Sequence, residues 1–140
     1  TGSRDKTVRL WRTSDGAPLL TIAGQDSIVF ALAYSPDGAT IATGSHDNAV
    51  RLWRAADGTH LQTLTGHRDC LRAVAFSPDG TTIATGSDDA SLQLWRTADG
   101  AHLQTLTGHR RRVCAVSYSP DGTTIATASL DKTVRLWRPG

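Results

Sequence analysis

The sequence predicts an all-β chain made from one four-stranded antiparallel unit used repeatedly, and three observations predict it. Tryptophans stand at positions 11, 53, 95 and 137, each 42 residues from the next. A fixed period of that size marks a supersecondary unit copied along the chain. Within each period, four short stretches of strand character are separated by turn signals rich in Pro, Gly and Asp. No stretch carries apolar residues at helical spacing over three turns.

The unit is clearest between residues 67 and 108. Leu71 to Phe76 is short and apolar, and Ser77-Pro78-Asp79-Gly80 follows, with Pro and Gly where a tight turn needs them. Thr81 to Thr85 is β-branched around Ile83 and Ala84, and Gly86-Ser87-Asp88-Asp89 reads as the next turn. Ser91 to Trp95 alternates, with Leu92 and Leu94 against Gln93 and Trp95. After Asp99-Gly100, His102 to Thr107 alternates again through Leu103 and Leu106. Four strands of about five residues joined by short turns describe a meander.

The first strand sets the architecture. It is apolar on both sides, with Leu71, Ala73 and Ala75 on one face and Val74 and Phe76 on the other. Such a strand needs cover above and below, and copies stacked face to face around an axis supply it. Counted in this way, residues 1–24 hold a partial unit with a third and a fourth strand (Thr7 to Trp11, Pro18 to Ala23). Residues 25–66 and 67–108 are complete, and residues 109–140 lack a fourth strand.

Bulk properties narrow the function. The net charge of +2 is small and one Arg follows each Trp, whereas nucleic-acid binding calls for a clustered basic face; nucleic acid is not the expected partner. No run of about 18 apolar residues exists to cross a membrane, and no signal-peptide pattern opens the chain. Cys70 and Cys114 lie 44 residues apart, out of step with the period. Both are expected as reduced thiols on inner strands, in the cytoplasm. The chain contains no methionine, so it is expected to begin inside a longer gene product or to be an engineered or processed piece.

The order Gly-His … Ser-Pro-Asp-Gly … Asp … Trp, repeated at this period across the whole chain, resembles the WD-repeat β-propeller family. The resemblance implies a propeller of four-stranded antiparallel blades, incomplete in one chain at about three blades. It also implies a hydrogen-bonded tetrad in each blade: His67, Thr85, Asp89 and Trp95 in one, His109, Thr127, Asp131 and Trp137 in the next. Ser87 stays open as an alternative to Thr85, because both point to one side of the strand. The earlier copy keeps Thr43, Asp47 and Trp53 but has Gln25 in place of the His, so its blade is expected to be less tightly tied. Arg12, Arg54, Arg96 and Arg138 stand where the family name implies Asp; an exposed position tolerates either charge.

A Thr, His and Asp together also look like a nucleophilic triad. Here the set recurs with a Trp attached and one copy lacks the base, which points to structure. Gly44 and Gly86 precede turns and not helices, so no phosphate loop is present, and His46, His60 and His102 are isolated. No catalytic, metal or cofactor site is expected.

Differences between copies mark positions free to carry an address. The loop before the first strand reads Gln25-Asp26-Ser27-Ile28, then His67-Arg68-Asp69-Cys70, then His109-Arg110-Arg111-Arg112. Phe30 becomes Arg72 and then Cys114, and the residue before the turn Asp runs Arg4, His46, Asp88, Leu130. The resemblance implies that these places line the top face and the channel mouth, where peptides dock. Arg68, Arg72, Arg110, Arg111 and Arg112, with Ile28, Phe30, His46, Asp88 and Leu130, form the candidate partner-binding face. Its arginines suit an acidic or phosphorylated protein or peptide.

One chain has too few strands for a ring of about four to eight blades. The expected remedy is association with other copies: two chains giving six blades, or three giving nine, with one third strand left to place. The expected function is a non-catalytic protein–protein interaction scaffold that closes its ring by self-association. The alternative is a structural or engineered self-assembling fragment with no partner but itself.

Overall fold

A computed structural model describes residues 1–139. Thirteen strands follow one another: β1 (Val8–Trp11), β2 (Pro18–Ile22), β3 (Val29–Tyr34), β4 (Thr40–Ser45), β5 (Ala49–Arg54), β6 (His60–Thr65), β7 (Leu71–Phe76), β8 (Thr82–Ser87), β9 (Leu92–Arg96), β10 (His102–Leu106), β11 (Val113–Tyr118), β12 (Ile125–Ser129) and β13 (Val134–Trp137). They form four antiparallel meanders: β1–β2, β3 to β6, β7 to β10, and β11 to β13. Among the described residues there is no helix, and the sheets do not close into a ring.

Local chemistry makes each turn. In Ser-Pro-Asp-Gly, the Ser77 hydroxyl donates to Asp79 Oδ1 at 2.6 Å, and the amides of Thr81 and Thr82 donate to Asp79 Oδ1 and Ser77 Oγ at 3.0 Å. Gly80 closes the turn at φ +74°, a left-handed conformation that glycine adopts without strain. These donated bonds, the one from Ser77 first, lower the Asp79 pKa to about 2, and the matching bonds from Ser119 and Thr123 do the same at Asp121.

Two sequence expectations need correcting. The stretch Gly86-Ser87, expected as turn, continues β8, because Gly86 pairs with both Ala73 and Leu92. The even alternation expected for the first strand is broken by a bulge: Leu71 stands opposite Ser87 and Ala73 opposite Gly86, leaving Arg72 as the extra residue. Opposed residues share a face, so Leu71 joins Val74 and Phe76 and not Ala73. The same shift occurs at Phe30 in β3 and at Cys114 in β11. Bulges re-aim side chains, and here they lift the three most variable first-strand residues out of the ladder.

The core lies between blades. Leu71, Val74, Phe76, Ile83 and Trp95 of the β7–β10 sheet pack against Ala42, Val50, Leu52 and Leu64 of the β3–β6 sheet. Val29, Ile41 and Trp53 meet Val8 and Ile22 in the same way, and Ile125 meets Ala84, Leu92 and Leu94. Each blade therefore offers a tryptophan face backward and an aliphatic face forward. The last forward face is bare: Val134 is 69% exposed and Leu136 72%, while Leu92 and Leu94, their counterparts one blade earlier, are 1% and 3% exposed.

Candidate functional site

Each complete tetrad is a hydrogen-bonded chain that ties the loop before the first strand to the second and third strands. Trp95 Nε1 donates to Thr85 Oγ1 at 2.9 Å, Thr85 Oγ1 meets His67 Nε2 at 2.8 Å, and His67 Nδ1 meets Asp89 Oδ2 at 2.8 Å. The last blade repeats this with Trp137, Thr127, His109 and Asp131 at 2.8, 2.7 and 2.8 Å. Thr85 is thus the tetrad hydroxyl; Ser87 donates instead to the Asp69 carbonyl at 2.9 Å. The triad-like spacing is not a nucleophile, because Thr85 is fully buried and already accepts from Trp95.

Burial works to raise the Asp89 pKa, but bonds donated by His67, Ser91 and the Arg68 amide outweigh it and hold the carboxyl well below its usual range. Asp131 is lowered as well, chiefly by the Thr133 hydroxyl and also by His109. Both carboxylates fix the loop that follows the histidine: Arg68 N donates to Asp89 at 2.9 Å and Arg110 N to Asp131 at 3.1 Å.

The copy without a histidine solves the problem differently. Gln25 is buried where the His would be and accepts from Thr43 Oγ1 at 3.3 Å, with Trp53 Nε1 donating to Thr43 at 3.0 Å. Gln25 Nε2 has no partner. Asp47 is held by Arg51 of β5, at 2.6 and 3.2 Å. Sequence reasoning missed Arg51, although the signal was present as an Arg four residues after the turn Asp. Arg9 stands in the same relation to Asp5, at 3.6 Å. Three of the Arg residues that follow a Trp also find a partner: Arg12 meets Asp15 at 3.0 Å, Arg54 meets Asp57 at 3.1 Å and Arg96 meets Asp99 at 2.9 Å, all half-exposed, which is worth no more than about 1 kcal/mol each.

Above this framework the variable positions meet across three blades. The Arg72 guanidinium lies 4.3 Å over the Phe30 ring, which also faces His46 at 6.0 Å. Arg72 grips Asp88 through Nε and Nη2 at 2.8 and 2.7 Å, and Arg112 Nε approaches the same carboxylate at 3.4 Å. The bonds from Arg72 hold the Asp88 carboxyl below its usual range although burial opposes this, and Asp88 in turn raises the pKa of Arg72. Asp69, Cys70 and Asp88 place ligand atoms within 4.8 Å of one another, but Arg72 already occupies both Asp88 oxygens. Cys70 precedes β7 and does not sit on it, and burial pushes its thiol up; Cys114 is on β11, and both are free.

The arginines of the rim therefore divide. Arg72 is neutralised and Arg112 partly so. Arg68, Arg110 and Arg111 are exposed and have no carboxylate partner among the described residues. Leu130, 50% exposed, sits beside them, its amide donating to the Arg112 carbonyl at 3.2 Å. Ile28 lies half-buried, its carbonyl accepting from the His46 amide at 3.0 Å.

Three consecutive stretches, residues 16–54, 58–96 and 100–138, match the family described as "WD domain, G-beta repeat". The chain belongs to the WD-repeat family. Each WD match runs from a fourth strand through the first three strands of the next blade: β2 to β5, β6 to β9, β10 to β13. Among curated proteins, the chain is similar to Nuclear distribution protein PAC1 of Mycosarcoma maydis, 49% identical over 41 residues, which is 29% of this chain and 9% of that protein. The protein of the same name from Coprinopsis cinerea is 51% identical over 37 residues, covering 26% and 8%. That from Cryptococcus neoformans var. neoformans is 47% identical over 38 residues, covering 27% and 9%. The matched stretch thus spans under a tenth of each relative. WD repeats indicate a protein-interaction scaffold, a family role that is typically non-enzymatic. No helix of the described residues is long and apolar enough to cross a membrane.

Proposed function

We propose that this WD-repeat chain is a non-catalytic scaffold that captures an acidic protein segment on its rim and completes its ring with further copies of itself. The observation that carries the rim reading is the division of its arginines. Asp88 holds Arg72 and Arg112 in place, while Arg68, Arg110 and Arg111 project unpaired from loops pinned by Asp89 and Asp131. Loops held at their backbone need less ordering on binding, and guanidinium groups pair bidentately with carboxylate or phosphate. Leu130 supplies an apolar contact beside them, so the favoured segment is acidic with one aliphatic side chain.

The test uses a fluorescein-labelled Glu- and Leu-containing peptide and anisotropy. Replacing Arg68, Arg110 and Arg111 with Ala is expected to weaken capture at least about tenfold, at about 1.4 kcal/mol per decade, with the circular dichroism unchanged. Equal affinity would remove the rim reading.

Self-association rests on a separate observation, the bare forward face with Val134 and Leu136. Exposed apolar faces of this kind mark interaction sites. Two chains would supply six blades and three would supply nine. Light scattering showing a folded monomer at all concentrations would remove this part. If self-association persists while no rim substitution changes any binding, the chain is a structural element whose only partner is itself. A cytoplasmic setting belongs to the same proposal, with Cys70 as a buried free thiol.

A further inference from the structure

Blade junctions in this chain pass through one small residue on the second strand. Gly2, Gly44 and Gly86 each follow a threonine of the tetrad series, Thr1, Thr43 and Thr85. The next blade lays a branched side chain across each glycine. A Cβ on Gly2 would stand 2.6 Å from Val29 Cγ1, one on Gly44 2.9 Å from Leu71 Cβ, and one on Gly86 2.6 Å from Val113 Cγ1. Carbon atoms pack best at about 3.5–4.0 Å, so an added methyl at any of the three would force the blades apart.

The fourth member of the series is not glycine. Ala128 follows Thr127 and pairs with Ala115 and Val134, as Gly44 pairs with Ala31 and Val50. It lies on the bare face, in a hollow lined also by Ala115, Ala126 and Val134. Ala128 therefore already carries the methyl that the other three junctions exclude.

We propose that the occupant of this face is the β3–β6 blade of a second copy, and that Ala128 sets how tightly it seats. The inference rests on the self-association reading above. The choice of occupant follows from continuity with the junctions inside the chain: β3 already covers the Gly2 position, and β2 of the same copy is the fourth-type strand that β11 to β13 lack. Seating that copy displaces its β1, which now packs on Val29, Ile41 and Trp53 through Val8, puts β13 beside β2 instead, and brings Val29 over Ala128 in place of Gly2. Valine is stiff at χ1 and cannot swing its methyl away, so the two blades must sit farther apart than any pair within the chain. Closure between copies is thereby the weakest junction of the ring, and the ring opens there first.

Sedimentation velocity over a concentration series on the intact chain tests this, with wild type, Ala128→Gly and Ala128→Val compared. Ala128 sits on an unpacked face, so both variants keep the fold. Relieving one overpacked methyl acts on the scale of about tenfold or more. The Gly variant is expected to associate at least about tenfold more tightly than wild type, and the Val variant to be monomeric. If wild type associates and neither variant differs from it, Ala128 is no gate and self-association stands. If neither wild type nor the Gly variant gains mass at any concentration, the self-association reading falls and this inference with it.

Discussion

Arg51 holds Asp47 through both terminal nitrogens of its guanidinium, at 2.6 and 3.2 Å, in the one complete blade that has no tetrad histidine. Burial works against the Asp47 carboxylate, but the bonds and charge of Arg51 overcome it and keep its pKa below the usual range. Gln25 meanwhile leaves a buried amide nitrogen without an acceptor. The blade has replaced one half of the tetrad and kept the Thr43–Trp53 half.

That substitution predicts a coupling. Gln25→His should stabilise the chain by about 1 kcal/mol by removing the orphan amide. Arg51→Gln, which copies Gln93 of the next blade, should cost about 1–3 kcal/mol because it strands Asp47. In the Gln25→His background the same change should cost little, since the new imidazole takes over the carboxylate. Urea unfolding of the four proteins measures the cycle; strictly additive effects would show that His and Arg do not compete for Asp47.

A second prediction concerns acid. Asp79 and Asp121 have pKa values of about 2, and Asp89 and Asp131 are also lowered. A carboxyl whose folded pKa lies below its unfolded value of about 3.9 contributes stability that is complete above that value. The contribution disappears as pH falls through the folded pKa. Stability should therefore decline from about pH 4 to about pH 2, as read by tryptophan fluorescence in urea. Asp79→Asn and Asp121→Asn together should flatten that decline, and an unchanged slope would refute the assignment.

The third prediction comes from the turns between second and third strands. Asn48, Ala90 and Lys132 all hold φ +69°, in the left-handed region that favours Gly and Asn over other residues. Ala90→Asn copies the earlier repeat and should stabilise by about 1 kcal/mol. Thermal unfolding checks it, and a loss of stability would mean that the Ala90 methyl makes a contact worth more than the strain.

The meanders and their order were legible because turn chemistry is local: Ser-Pro-Asp-Gly and the Asp before each third strand build their turns from their own side chains. The family tetrad was legible once the period was seen, but Thr85 could be separated from Ser87 only by knowing where the Asp69 carbonyl lies. The bulges at Phe30, Arg72 and Cys114 were hidden, since a shift of ladder register depends on the partner strand as well as on the bulged one. The Phe30–Arg72 stack joins residues 42 apart in sequence. Equivalent positions in successive copies become neighbours around the rim, so the period itself contained that contact. The charge of the rim was overestimated, because Asp88 was counted as an address position and not as the counter-ion of Arg72.

Each sequence unit begins on the last strand of one sheet and ends on the third strand of the next. Removing the 42 residues from 58 to 99 would splice Asp57 to Gly100 and let β10 take the place of β6 beside β5. Gly44 would then receive Val113 where it now receives Leu71. The shortened chain would lose one blade and gain no new unpaired strand, so genetic expansion or contraction in steps of one unit changes the number of blades in the chain without breaking its seams.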